Sequence, residues 1–246
     1  MLSILQAPAK TERPRLPEGV RIYAISDIHG CAHLLEPLLK VIDADVRRGR
    51  ACEAIEVYLG DYIDRGPDSR ATLDLLAERA RSRNAVFLCG NHEAFLVEVL
   101  RDPSRLAAWF RVGGLQTLMS YGLSPSLEPD EDEQASLVSA LWAAIPDPHR
   151  SFLNGLHLTF TCGDFLFVHA GLRPGIPIPE QKPTDLLWIR DEFLNSATDF
   201  GKYVIHGHTP VRSAEFRPNR ANIDTGAYAT GNLTLLSIEG TRLLAV

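Results

Sequence analysis

Apolar and polar positions alternate in blocks along the first hundred residues, and each block repeats one plan. Arg21 to Ser26 (RIYAIS) is a short apolar run, after which Leu34, Leu35, Leu38, Leu39, Val41, Ile42 and Val46 recur at helical spacing. Ala54 to Leu59, interrupted only by Glu56, is a second run, followed by Leu73, Leu76 and Ala80 on one helix face. Ala85 to Cys89 is a third, followed by Phe95, Leu96, Val99 and Leu100. Pro37 fits only near the start of the first helix, and Asp68 or Ser69 can cap the second. Strand, loop and helix three times over predict a parallel, right-handed α/β layer with the three strand ends on one edge.

The texture then changes. Residues 103–155 read as irregular helix, with Trp109, Phe110, Leu115, Leu118 and Tyr121 as packing residues, a break at Gly113-Gly114 and a solvated acidic helix start at Asp130 to Glu133. This segment is expected to form a cap beside the strand ends. Short strands return after His157. Leu158 to Cys162 and Phe165 to Val168 read as a hairpin across Gly163-Asp164, and a Pro-rich loop leads to a helix through Leu186 and Arg190. Tyr203 to Ile205, Ala221 to Asp224, Leu233 to Ile238 and Leu243 to Val246 read as strands. A second, largely antiparallel sheet packed on the first would hold this half. No linker or repeat divides the chain, so residues 21–246 are expected to be a single domain behind a loose N-terminal arm, residues 1–20.

Composition narrows the function. The chain has 246 residues and a net charge of −6, which argues against a general binder of nucleic-acid polymers. No stretch approaches the ~20 apolar residues of a membrane span, and Met1 to Val20 lacks a signal-peptide pattern. Cys31, Cys52, Cys89 and Cys162 form no C-x-x-C pair, consistent with reduced, structural thiols in a cytoplasmic protein. The oligomeric state is not legible.

The candidate chemistry sits where the apolar runs stop. Asp27-Ile28-His29-Gly30, Gly60-Asp61-Tyr62-Ile63-Asp64-Arg65-Gly66 and Gly90-Asn91-His92-Glu93 end the first three strands, and His169-Ala170-Gly171 and His206-Gly207-His208 end two later ones. Carboxylates with an arginine between glycines make sense if a cation meets the aspartates and an anion meets Arg65. Asp27, His29, Asp61, Asn91, His169, His206 and His208 are candidate ligands. Mixed nitrogen and oxygen donors suit manganese, iron or zinc better than calcium or magnesium. They are too many for one closed structural zinc, and two divalent metals sharing a carboxylate would use them. Such a pair suits phosphoryl hydrolysis.

These motifs resemble the phosphoprotein-phosphatase branch of the calcineurin-like metallophosphoesterases. The resemblance rests on Ser26-Asp27-Ile28-His29-Gly30, on the two glycine-bounded loops at 60–66 and 90–93, on His169-Ala170-Gly171-Leu172 and on Gly207-His208-Thr209-Pro210. Ser26, Ile63 and Ala170 depart from the family pattern without removing a ligand. The resemblance implies a four-layer α/β/β/α sandwich of two mixed sheets with a dimetal site at the strand ends. It implies that Asp27 and His29 hold one metal, that Asp61 bridges, and that Asn91, His169 and His208 hold the other. His92 would be the general acid, oriented by Asp64, and Arg65 and Arg190 would grip phosphate, with Arg173 or Arg212 as alternatives to Arg190. His206 is expected behind the ligands, Glu93 as a brace or cap of its helix, and Tyr228 is a further candidate for the pocket wall. The implied reaction is hydrolysis by a metal-activated water, with manganese first among the metals. The expected substrate is a phosphoserine or phosphothreonine protein. A symmetrical bis(5'-nucleosyl)-tetraphosphate is the alternative, and a non-catalytic metal-binding scaffold a second one.

Overall fold

Two five-stranded sheets lie face to face between two layers of helices in the computed structural model, which describes residues 13–49, 53–126 and 128–246. In the first sheet β1 (Val20–Ile25), β2 (Glu53–Tyr58) and β3 (Ala85–Phe87) run parallel, connected through α1 (Ala32–Arg48) and α2 (Ser69–Ser82), and α3 (Asn91–Arg101) follows β3. Period-two alternation splits each strand between two cores. Ile22, Ala24, Ile55 and Val57 face the other sheet, while Tyr23, Ile25 and Tyr58 face the helices. Asp68 caps α2 by accepting the N–H of Ala71 at 2.8 Å. Glu56, the charge within β2, is buried beneath α2, where the Arg79 guanidinium grips it at 2.6 and 3.0 Å and the Tyr58 hydroxyl donates to it at 2.6 Å.

Residues 103–155 extend the helical layer. After a 3-10 turn come α4 (Leu106–Arg111), α5 (Gly114–Ser120), α6 (Glu131–Ala144) and α7 (Asp147–Asn154). They pack on α2 and α3, and Trp109, Leu118, Tyr121, Leu141 and Phe152 join the core under α1. Asp130 caps α6 through the N–H of Glu133.

The second sheet contains β4 (Thr159–Cys162) and β5 (Phe165–Val168), paired as a hairpin, then β6 (Tyr203–His206), β7 (Glu215–Phe216) and β8 (Arg220–Asn222), in the order β4-β5-β6-β8-β7. Phe165 and Phe167 face the first sheet; Leu166 and Val168 face α8 (Pro183–Trp188) and α9 (Asp191–Leu194) through Leu186, Ile189 and Phe193. Two features differ from the sequence expectation. The sheet is parallel at its centre, β5-β6-β8, and antiparallel only at its edges, because the Pro-rich stretch with α8 and α9 is long enough for a crossover. After α10 (Ala227–Thr230), β9 (Leu235–Glu239) and β10 (Arg242–Ala245) join the first sheet, with β9 antiparallel to β1. Their hairpin belongs there because Leu236 and Ile238 alternate with Leu235 in phase with β1, Ile238 lying opposite Ile22.

The chain ahead of β1 is tied down in part. Leu16 is buried between the sheets and its N–H reaches Gly240, while the Arg15 N–H donates to the Asp164 carboxylate and the Asp164 N–H to Arg15 O, both at 3.0 Å. Residues 1–12 of the expected arm, and Cys52, lie outside the described residues. Among the described residues no helix is long and apolar enough to cross a membrane.

Candidate metal centre

All the strand-end motifs converge on the carboxylate of Asp61. Its Oδ2 lies 3.5 Å from His29 Nε2 and 3.9 Å from His92 Nε2, and its Oδ1 lies 3.4 Å from His169 Nε2. Asn91 Oδ1 and His208 Nδ1 lie 2.9 and 3.2 Å from that same His169 nitrogen. Two clusters able to hold a metal therefore share Asp61: one with His29 and His92, the other with His169 and His208. All five of these side chains are buried.

Backbone carbonyls set the imidazole tautomers. His29 Nδ1 faces Ile63 O at 3.0 Å and His169 Nδ1 faces Leu59 O at 2.9 Å. A carbonyl only accepts, so each Nδ1 carries the hydrogen and each Nε2 turns a lone pair toward Asp61. Burial pulls His29 down to about 3 and His208 to about 2, and lowers His169 too, so all three are neutral, as a ligand must be.

Asp27 belongs to neither cluster and borders them through the backbone of His208. Its Oδ2 accepts the N–H of His208 at 3.0 Å, and its Oδ1 has no partner among the described residues; His92 Nε2 and His208 Nε2 are orphaned likewise. Burial first, then the charges of Asp224 and Asp61, push Asp27 well above the usual carboxylate range, and burial pushes Asp224 up to about 6. Crowded buried carboxylates, unpartnered ligand atoms and neutral imidazoles together fit divalent cations.

His92 is set apart from the other histidines. Its Nδ1 donates to Asp64 Oδ2 at 2.7 Å. Burial works against its protonation, yet Asp61 and the Asp64 hydrogen bond outweigh burial and raise its pKa. A group that keeps its proton is a poorer ligand and a better acid.

The backbone is bent to deliver these groups. Among the described residues, every non-glycine residue with positive φ is a residue of this site: His29 (47°), Asp61 (51°), Asp64 (71°), Arg65 (68°) and His208 (66°). Left-handed backbone costs such residues of order 1 kcal/mol each. The loops also approach so closely that a Cβ at Gly90 would lie 2.1 Å from Asp61 Oδ1, and one at Gly207 would lie 2.0 Å from Asp27 Oδ1.

The arginines differ. Arg65 Nη1 donates to His29 Nε2 at 2.9 Å, and its guanidinium lies 5.0 Å from the ring centre of Tyr228, which stands edge-on to His29. Arg190 is exposed and donates to Thr209 at 3.1 Å. Arg173 is held by Asp185 at 2.6 and 3.0 Å, which leaves Arg190 the freer guanidinium. His206 is buried against Phe193, outside both clusters. Sequence reasoning missed three contributions. Glu93 also accepts the N–H groups of Asp61 and Tyr62 at 2.9 and 2.8 Å, and Trp109 and Thr117 both donate to Asp64. Only the acidic residue at the start of α3 gave any signal.

The calcineurin-like phosphoesterase profile matches residues 20–235. Serine/threonine-protein phosphatase 1 of Salmonella typhimurium is 29% identical, over 89% of this chain and 92% of its own. An asymmetrical bis(5'-nucleosyl)-tetraphosphatase of Oceanobacillus iheyensis is 24% identical over 87% of each chain, and a symmetrical one of Nitrosospira multiformis is 26% identical over 89% of this chain and 92% of its own. The crystal structure of a cold-active protein-tyrosine phosphatase from a Shewanella species superposes with a TM-score of 0.59 at 19% identity, covering 94% of this chain and 80% of the other. That likeness concerns the fold. A profile match spanning nearly the whole chain makes it a member of the calcineurin-like phosphoesterase family, hydrolases that use a pair of divalent metal ions.

Proposed function

We propose that the chain is a phosphomonoesterase acting on phosphoserine and phosphothreonine in proteins, in the cytoplasm. The observation that carries this reading is the 2.7 Å bond between His92 Nδ1 and Asp64, beside the carboxylate shared by two imidazole clusters. In this reading Asp27, His29 and Asp61 would hold one divalent metal and Asp61, Asn91, His169 and His208 the other, manganese being the first choice. When bound, such a pair supplies a water of lowered pKa and positive charge against the phosphoryl oxygens.

The protein's own groups do the rest. Arg65 and Arg190 offer planar forks to the non-bridging phosphate oxygens, which orients the ester. His92, kept protonated beside Asp64, delivers a proton from Nε2 to the departing serine or threonine oxygen, which otherwise leaves as a poorly stabilised alkoxide. Asp64 fixes the ring and stabilises its charge.

The relatives named for bis(5'-nucleosyl)-tetraphosphates support a second substrate class. Its leaving phosphate needs a proton less than an alkoxide does, so the retained His92–Asp64 pair favours the monoester. The test is a comparison of kcat/KM, with manganese, on a phosphoserine peptide and on diadenosine tetraphosphate. The expected result is a preference for the peptide of about 100-fold or more, about 2.7 kcal/mol of transition-state stabilisation. The reverse preference would establish the second reading.

A further inference from the structure

We infer that Trp109 and Thr117, on α4 and α5 of the cap, are positioning residues for proton delivery: they clamp Asp64 so that His92 stays aimed at the leaving oxygen. Their role rests on the reading of His92 as the proton donor. Asp64 is fully buried. Its Oδ2 receives Trp109 Nε1–H at 2.7 Å in addition to His92, and its Oδ1 receives the Thr117 hydroxyl at 2.5 Å.

The hydrogens of this cluster are determined by elimination. Thr117 has one hydroxyl hydrogen, and Asp64 as a carboxylate can only accept it. Ser69 Oγ, 2.9 Å from Thr117 Oγ1, must then donate to that oxygen, and both hydroxyl oxygens accept the N–H of Asp64 at 3.0 Å. Each carboxylate oxygen thus has a donor from a different cap helix. The Asp64 carboxylate cannot turn about its own axis without losing one, and the ring of His92 follows the carboxylate.

The clamp itself is rigid. Trp109 is fully buried, with its indole so close to Gly114 that a Cβ there would lie 2.2 Å from the ring. The same stretch fixes the next residue: the Arg65 N–H donates to Gly113 O at 3.1 Å and Arg65 Nε to Val112 O at 3.4 Å. Asp64 and Arg65 both hold positive φ, so the cap stabilises a strained dipeptide whose side chains face the site. The cap therefore contributes to the chemistry.

The test compares Trp109→Phe and Thr117→Val with His92→Asn in the manganese-loaded full chain. p-Nitrophenyl phosphate has a leaving group that departs without a proton; phenyl phosphate has a poorer one. Both positioning variants should lower kcat on phenyl phosphate about tenfold, a part of the ~10²–10⁴-fold that general acid catalysis supplies. KM, metal content and kcat on p-nitrophenyl phosphate should stay near wild type. Equal losses on both esters, or no loss while His92→Asn is selective, would overturn the positioning role and leave His92 as donor. A His92→Asn variant without leaving-group selectivity would remove the donor reading, and the positioning role with it. Should Trp109→Phe fail to fold, Thr117→Val, which keeps the side-chain shape, decides the matter.

Discussion

The Glu93 carboxylate accepts the backbone N–H of Asp61 at 2.9 Å, so the first turn of α3 holds the loop whose carboxylate centres the site. Glu93 also accepts the N–H groups of Tyr62 at 2.8 Å and Gly90 at 3.0 Å. Glu93→Gln would turn amide hydrogens toward some of these donors. Leaving buried N–H groups unmatched costs about 1–3 kcal/mol, and urea unfolding should read a loss of that order together with weaker metal binding. Wild-type stability and metal content would mean that other contacts hold the loop.

Asp61→Asn tests the shared carboxylate. Both oxygens of Asp61 face imidazole nitrogens, and Oδ1 also accepts the N–H of His92 at 3.1 Å. An amide offers one oxygen and no charge. Elemental analysis of the purified variant should find metal below one ion per chain, with phosphatase activity falling in parallel. Full loading with both metals would refute the bridging role.

The legible parts of the site were those in which residue type alone carries the chemistry. Asp27, His29, Asp61, Asn91, His169 and His208 stand at the ends of apolar runs, and the alternation of strand and helix brings those ends to one edge. Long-range pairing was not legible. β9 joins β1 across more than two hundred residues, and nothing local marks the sheet to which a short apolar strand belongs. Trp109 read as an ordinary packing position and Thr117 gave no signal, because their partner, Asp64, lies 45 and 53 residues away. The positive φ at His29, Asp61 and Arg65 breaks local preference at the site, where strain is tolerated because the surrounding fold fixes it.

Tyr228 should matter through Arg65. Its ring lies 5.0 Å from the guanidinium, a cation–π contact worth about 0.5–1 kcal/mol at an exposed position. Tyr228→Ala should therefore raise KM for a phosphopeptide about two- to five-fold with little change in kcat. An unchanged KM would show that Val112 and Gly113 suffice to place Arg65.

Stability away from the site depends on Arg79. Its guanidinium pairs with buried Glu56 in bidentate fashion and reaches Asp43 at 2.9 Å. Arg79→Leu leaves the Glu56 charge buried with the Tyr58 hydroxyl. Removing one partner of a buried pair costs about 3–5 kcal/mol, which chemical denaturation should detect, while kcat per folded molecule stays unchanged. A loss below about 1 kcal/mol would mean that water reaches Glu56.

The acid limb of stability should report His149. Its imidazole is buried between the Tyr121 hydroxyl, 2.7 Å from Nδ1, and Asp74, 2.9 Å from Nε2, and Arg70 lies over the Tyr121 ring. Asp74 accepts from Nε2, and in the neutral ring Nδ1 accepts from Tyr121. Burial pulls His149 below its ordinary 6.5, and the hydrogen bond to Asp74 only partly offsets this. With the folded value below the unfolded one, the unfolded chain takes up the proton first as pH falls. Stability should therefore be complete above about pH 6.5 and decline as pH drops from there toward the lower folded value. His149→Gln removes that titration but leaves the metal-site histidines in place, so their contribution cancels in the difference between the two proteins. Urea unfolding at about pH 7.5 and pH 5.5 should show the wild type's advantage over the variant shrinking at the lower pH. A constant difference would mean that His149 binds its proton equally well folded and unfolded, and that Asp74 compensates fully for burial.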